Sequence, residues 1–493
     1  MWLLFVLPGI IFPAAWAQQS DPGTSLQRPA PNDAAPNADI TLPEALERAL
    51  RNSPELASSD LDIRIAEAKE IQAGLRQNPS VSFEIEDIRW SRGPALRTHS
   101  RSIQVDSAGA KSTYDSTIEQ GAAPGIGESQ TTLYLSQVVE LGGKRVKRMR
   151  VARKEKDLAR WAYETKRMDV LAEVTKAFVE TLSAQERVAL AEKNVEIAQQ
   201  VLKDVAARVE AGKVSPLDAS KAETELASTG IAFKKEQSLL QSARVRLAAG
   251  WGDKTAEFGR VVGDYYSITP VPEYEEYETA VEKNPDVARW GDEMEMREAA
   301  LTAQQAQRVP DLTVELGLRT LGLQEHDERG SSWGTDGAFG VSEGEVRPDS
   351  NHEDSLVVIL SVPIPIFNRN QGGILEAEKQ AEKTAQEKRK ANVRAYSQLQ
   401  IAYHALKQAS LAVNELHNDV LPRARETFER TQRGYREGKF GQLEVLDSQK
   451  TLYDLTGQYV DALKDYHVAM ADVERLSGNS GMGAGKGKDD AKE

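Results

Sequence analysis

The chain has 493 residues, a net charge of −14, 40% hydrophobic and 28% charged residues, and no cysteine. The acidic balance argues against nucleic acid as a partner, and the missing cysteine excludes disulfides, thiolate metal sites, cysteine nucleophiles and an N-terminal lipid anchor together. A mean hydropathy of −0.51 excludes a polytopic helical membrane protein. Residues 1–17, MWLLFVLPGIIFPAAWA, form an apolar run closing on Ala15-Trp16-Ala17. That pattern predicts a secretory signal cleaved before Gln18, the alternative being a retained anchor, because no Lys or Arg precedes the run. Beyond Ala17 no apolar run approaches the roughly 20 residues a spanning helix needs, so any membrane crossing is by strands.

Residues 18–40 are rich in Pro, Ala, Asn and Asp and suit an extended lead-in. Thr41 or a neighbour caps a short helix to about Asn52, and Pro54 restarts helix to about Gln77, where Asn78-Pro79 stops it. The period then changes from 3.6 to 2. Val81, Phe83 and Ile85 alternate with Ser82, Glu84 and Glu86, which predicts a strand over about 80–90. A polar stretch (91–128) precedes a second strand candidate at about 131–141. From Gly143 to Glu210 there is no proline, and Val195, Ala198, Leu202, Val205 and Val209 recur at helical spacing. A helix of that length would be about 100 Å long at 1.5 Å per residue.

The pattern then returns. Ala49–Ile85 aligns with Ala280–Leu316 at an offset of 231, with Pro54 matching Pro285 and Pro79 matching Pro310. VEAGKVSPLD (209–218) aligns with YREGKFGQLE (435–444) at an offset of 226. Two tandem copies of one unit follow, over 41–270 and 271–478, with a polar tail over 479–493. In the second copy Leu312, Val314, Leu316 and Leu318 alternate with Thr313, Glu315, Gly317 and Arg319 in a strand at about 311–320. A Gly/Ser/acidic stretch (322–353) leads to another at about 355–366. Each half is thus expected to hold two strands of about 10 residues around one long polar loop, the layout of outer-membrane barrels. Leu399, Tyr403, Leu406, Ser410 and Val413 form a second helical seam. Leu452, Leu455, Tyr459, Leu463, Tyr466 and Met470 continue it after the second hairpin.

LSQVVELGGKRVKRMRVAR (135–153), LSVPIPIFNRNQGGILEAE (360–378) and YREGKFGQLEVLDSQKTL (435–452) give the chain a family likeness. Over 41–478 it resembles the TolC-type outer membrane factors, and within them the CzcC-like branch of heavy-metal RND efflux systems. The resemblance implies a mainly helical homotrimer whose protomers each give four strands to a 12-stranded β-barrel, continued by a periplasmic helical barrel. It implies an outer-membrane efflux duct fed by an inner-membrane RND pump through a periplasmic adaptor protein, with divalent metal cations as cargo. Four strands cannot close a barrel alone, so assembly is obligatory, although the residues by themselves leave a dimer open. The same channel exporting drugs or proteins, and a non-pore periplasmic coiled-coil scaffold, are the alternatives.

Two groups of residues carry this expectation. The hairpin tips, Gly212, Lys213, Ser215 and Leu217 with Gly438, Lys439, Gly441 and Leu443, reverse the chain, glycine supplying a left-handed cap. By resemblance they also dock the adaptor. Gly441 stands where the first tip has Ser215. On the strands, Ser82, Glu84, Glu86, Thr313, Glu315 and Arg319 are expected to face a watery lumen. Val81, Phe83, Ile85, Leu312, Val314, Leu316 and Leu318 are expected to face outer-membrane lipid. Lys144, Arg145, Lys147, Arg148 and Arg150 face either lipid headgroups or solvent. His326 and His352 sit in acidic contexts, but no HxxxH or HxxH spacing builds a metal site. No catalytic motif or cofactor signature appears, so no enzyme activity and no cofactor are expected.

Overall fold

The computed structural model describes residues 38–86, 96–105, 111–120, 130–212, 214–322, 328–333, 339–343 and 352–478. The expected signal segment, most of the expected lead-in and the C-terminal tail lie outside the described residues. The same succession of elements occurs twice. Helices α1 (Leu42–Asn52) and α2 (Pro54–Gly74) lead into four strands, β2 (Ser80–Glu86), β3 (Leu96–Val105), β4 (Lys111–Gln120) and β5 (Gln130–Val139). The hairpin α3 (Lys144–Glu210) and α4 (Pro216–Ala249) follows. Then α5 (Tyr274–Val281) and α6 (Pro285–Ala306) lead into β7 (Leu312–Gly322), β8 (Glu328–Trp333), β9 (Phe339–Glu343) and β10 (His352–Ser361). The chain closes with α7 (Gln371–Glu415), a π turn (Leu416–Val420), α8 (Leu421–Arg436) and α9 (Gln442–Ser477).

Local chemistry explains the joints. The Glu44 carboxylate accepts from the Thr41 N–H at 2.9 Å, which holds its pKa below the ordinary carboxylate value. Pro54 and Pro285 each sit at the first helical position, where a missing N–H costs nothing. The Asn284 side chain accepts from the Asp286 N–H at 2.9 Å. Its amide also donates to the carbonyls of Arg475 and Leu476, closing the C-terminal end of α9 at 2.8 and 3.0 Å. One carboxamide thus serves two helix ends. The π turn lies just before Pro422, which has no N–H for the preceding turn. The wider turn absorbs that loss within an otherwise continuous helical run. His417, inside it, stacks on Tyr459 at 5.6 Å.

The strands depart from expectation in number. The polar stretches 91–128 and 322–353 are not long loops alone. They contain the hairpins β3–β4 and β8–β9, which pair through β4 and β8 into a sheet of order β3-β4-β8-β9. Their sequences, such as KSTYDSTIEQ, carry β-branched residues but little apolar alternation, so periodicity misses them. The four strands that do alternate form the other sheet, of order β10-β7-β5-β2, antiparallel throughout. Among the described residues its outer strands β2 and β10 have no further partner.

A third pairing fastens the N-terminus. β1 (Ile40–Thr41) runs parallel to β6 (Val261–Val262), in the linker between the two copies. Gln185 of α3 mimics a further strand there, its side chain both donating to and accepting from Val261 at 2.9 Å.

Around this clip lies the main core. Leu46 and Leu56, Val174 and Phe178 of α3, Leu247 of α4, Trp251, Phe258, Leu406 of α7 and Leu463 of α9 are all buried in one cluster. Gly250 is required here, since a Cβ would sit 2.8 Å from the Val174 side chain. A smaller apolar cluster (Val201, Val205, Ala222, Tyr435 and Val445) joins the lower parts of the two hairpins. Among the described residues no helix is long and apolar enough to cross a membrane.

Candidate functional site: two hairpin tips and a two-faced sheet

At 67 residues, α3 is about 100 Å long, so the sheet and the tips are far apart along one unbroken helix. At the first tip Gly212 has φ 71° and donates to the Val209 carbonyl at 2.9 Å. Ser215 then caps α4, its Oγ accepting from the Leu217 N–H at 3.2 Å, with Pro216 starting the helix. Lys213 lies outside the described residues. At the second tip Gly438 has φ 76° and donates to Tyr435, while Lys439 donates to Gly434 at 2.8 Å. This double closure is a Schellman turn. Gly441 begins α9 without a side-chain cap, and Lys439 pairs in the open with Glu437 at 2.7 Å. Leu217 (62% exposed) and Leu443 (71%) stand out at equivalent places on the two tips, with Phe440 beside them.

Sequence reasoning missed the residues that tie the tips together. Arg208, in the last turn of α3, lies 4.1 Å over the Tyr435 ring and donates to the carbonyls of Tyr435 at 2.8 Å and Arg436 at 3.2 Å. A cation at the end of α8 complements its dipole as well as its orphan carbonyls. Gly434 leaves room for Phe440, whose ring would lie 2.3 Å from an added Cβ. The signal was present in part, for Arg208 and Gly434 immediately precede the two repeated tip motifs. The Arg208 contact joins residues 227 apart, which no local pattern reports. Arg208→Ala removes a cation–π contact and two charge-assisted hydrogen bonds, a loss of roughly 2 kcal/mol. Its expected outcome is faster proteolytic cleavage at the two tips, which Arg208→Lys reverses only partly because lysine lacks the planar fork.

On the β10-β7-β5-β2 sheet the register sorts side chains by face. Val81↔Leu135↔Leu316↔Val358 and Phe83↔Leu133↔Leu318↔Leu356 form two apolar rows across all four strands. Ile85 shares that face, as do Leu312 and Val314 nearer the helices. The opposite face carries Ser82↔Tyr134↔Gly317 and Glu84↔Thr132↔Arg319, with Glu86, Thr313 and Glu315. Ser136 donates to Glu315 at 3.1 Å, and Gly317 is recessed under Tyr134, whose ring lies 2.7 Å from an added Cβ. β10 departs from strict alternation, because Val357 and Ile359 put apolar groups on the polar face.

The junction between sheet and helices is held by ion pairs. Lys144, nearly buried, donates to Asp311 at 2.8 Å, and Arg148 pairs with Glu140 at 2.7 Å. These cations are engaged by carboxylates of the same chain. Lys154 donates to Asp292 at 2.8 Å and pairs with Glu295, which raises its pKa and lowers that of Asp292. His326 and the side chain of His352 lie outside the described residues. Among the described residues no cluster of His, Cys, Asp or Glu is arranged to hold a metal ion.

A sheet with one apolar and one polar face, set on long paired helices, is the fold of outer membrane channel proteins. The solved structure of CusC, described for transmembrane channel formation, superposes with a TM-score of 0.64 at 16% identity, covering 90% of this chain and 93% of that one. The sequence model for outer membrane efflux proteins matches residues 45–253 and 277–479, and the chain belongs to that family. Among relatives, the cobalt-zinc-cadmium resistance protein CzcC of Cupriavidus metallidurans is 29% identical over 93% of this chain and 94% of its own length. The nickel-cobalt-cadmium resistance protein NccC of Alcaligenes xylosoxydans xylosoxydans is 23% identical over 62% of each chain.

Proposed function

We propose that this chain is the outer-membrane duct of a tripartite efflux system and carries divalent heavy-metal cations from the periplasmic side to the exterior. The observation that carries the reading is the β10-β7-β5-β2 sheet, whose faces are sorted by polarity and whose two outer strands are unpaired among the described residues. In lipid an open edge leaves backbone groups unsatisfied, so the edges close on other copies. Three copies give a 12-stranded barrel, an even number with room for a lumen. Ser82, Glu84, Glu86, Thr313, Glu315 and Arg319 then line water. Val81, Phe83, Ile85, Leu312, Val314, Leu316 and Leu318 meet lipid.

The helical hairpins extend into the periplasm, where the tips around Gly212, Ser215, Leu217, Gly438, Lys439, Gly441 and Leu443 receive the hairpin of an adaptor bound to an inner-membrane RND pump. The exposed leucines give that partner apolar knobs to pack against. The chain's part is passive conduction: the tips close by helix packing at rest and open when the adaptor docks. Cargo choice rests with the pump, and the likeness to CzcC and NccC, named for cobalt, zinc, cadmium and nickel resistance, supports metal cations.

The test is gene deletion followed by growth on Co, Zn, Cd, Ni and Cu salts and on several hydrophobic drugs, with plasmid complementation. Metal sensitivity rescued by the intact gene is the expected result. Drug sensitivity without metal sensitivity would keep the duct and overturn the cargo.

A further inference from the structure

Where β10 gives way to α7, the chain turns its apolar residues outward. Val362, Ile364, Ile366 and Phe367 are exposed, Phe367 to 91%. Water should disfavour such a display, yet the turn is built to hold it. Asn368 Oδ1 accepts from the Asn370 N–H at 2.9 Å, and Gln371 Oε1 accepts from the Arg369 N–H at 2.8 Å. Gln371 Nε2 donates to the Phe367 carbonyl at 3.2 Å. Asn370 is held in the left-handed region at φ 57° and donates to Gln304 at 2.8 Å. Beside this turn is a groove of about 340 Å³ lined by Arg308, Phe367, Arg369, Ile374, Leu375 and Glu378, with Gln371 at its edge.

Two cations, Arg308 and Arg369, and one carboxylate, Glu378, border the groove. Among the described residues neither Arg308 nor Arg369 takes part in an ion pair. Arg369 makes one side-chain hydrogen bond, from Nε to the Pro365 carbonyl at 3.3 Å, and its terminal nitrogens remain available. The basic residues on the opposite junction, Lys144 and Arg148, are by contrast neutralised by Asp311 and Glu140. The apolar residues continue from the face that carries Leu356, Val358 and Leu360. A planar guanidinium pair above an apolar ledge matches a phosphodiester with an attached acyl chain.

We propose that this groove is a binding site for an anionic glycerophospholipid, its phosphate held by Arg308 and Arg369 and its acyl chain lying on Ile364, Ile366 and Phe367. The proposal rests on the duct reading, which sets the apolar face against lipid. Charge complementarity decides against a second copy as occupant: closing β10 on the β2 of another copy brings Arg76, a further cation, toward this end of the sheet. The lipid is therefore retained at the seam between copies, on the side of the membrane where the helices begin.

The experiment uses the purified full-length assembly in detergent, with native mass spectrometry after addition of phosphatidylglycerol or phosphatidylcholine. Wild-type protein should retain phosphatidylglycerol preferentially. The double variant R308Q/R369Q should lose that preference about thirtyfold, and the control R64Q should keep it. Equal retention of both lipids by the wild type, or an unchanged preference in the double variant, overturns the proposal. Displacement of the lipid by millimolar inorganic phosphate would make the groove a free-anion site, and overturns it too. In this cysteine-free chain, Phe367→Cys reports the second-copy alternative. If assembly alone, without lipid, shields it from a water-soluble maleimide, the neighbouring copy fills the groove and the proposal fails. Bilayer conductance is recorded on the same samples. Conductance without lipid preference sinks only the lipid site, whereas no conductance and no assembled mass sinks the duct reading and the site with it.

Discussion

Leu318→Arg is expected to abolish the assembled outer-membrane form of the protein. Leu318 is 64% exposed in the single chain and lies in the row Phe83↔Leu133↔Leu318↔Leu356, in the middle of the apolar face. An arginine facing lipid near the bilayer midplane costs about 2–4 kcal/mol, falling toward zero at the interfaces. The cost recurs in every copy, so in the proposed trimer it reaches roughly 10 kcal/mol, comparable with the whole stability of a typical domain. The paired control is Ser82→Arg, which places the same charge at a neighbouring level on the polar face. It should assemble normally and change only conductance. The measurement is the heat-resistant oligomer on gels from outer-membrane fractions. Loss of the oligomer in Ser82→Arg with retention in Leu318→Arg would mean that the two faces are assigned the wrong way round.

The second large effect is expected in the core. Trp251 is 2% exposed, packs edge-on to Phe258 at 5.9 Å and donates from Nε1 to Asp253 at 2.7 Å. It immediately follows α4 and the crowded Gly250, where the chain leaves the first hairpin for the linker that pairs with β1. Trp251→Ala should cost about 3–5 kcal/mol in each copy, because these surroundings, drawn from several helices, cannot all collapse into the space. Trp251→Phe keeps most of the packing and should cost roughly half as much. Denaturant unfolding of the purified protein, followed by tryptophan-independent circular dichroism, reads both. An unchanged midpoint in Trp251→Ala would show that the cluster does not hold the two copies of the repeat together.

Much of this fold was legible in the chain, and particular residues explain why. Pro54 and Pro285 mark helix starts because they stand where no N–H is needed. The 67-residue α3 could be read from the absence of proline and a steady apolar seam. The alternation of Val81, Phe83 and Ile85, and of Leu312 through Leu318, reports a sheet with one apolar and one polar face. The strands β3, β4, β8 and β9 went unread because sequences such as LRTHSRSIQV and ERGSSW carry no such contrast. Their pairing rests on backbone hydrogen bonds, which side-chain pattern does not encode. The tips were found as turns, but the Arg208–Tyr435 link was not, since it depends on two hairpins lying side by side. The pairing of Ile40 with Val261 was hidden for the same reason.

The outer strands β2 and β10, unpaired among the described residues, carry a genetic consequence. In the proposed ring closed by copies of one chain, each copy supplies one half of each of two seams. A chain that folds its helices but carries a spoiled β2 edge still offers a sound β10 to its neighbour. It is therefore recruited, and it leaves the circle open. In a cell expressing intact and edge-defective alleles together, only a small minority of rings would be free of the defective product. Such alleles should act as dominant-negative poisons of the proposed efflux, whereas alleles that abolish folding altogether should be recessive.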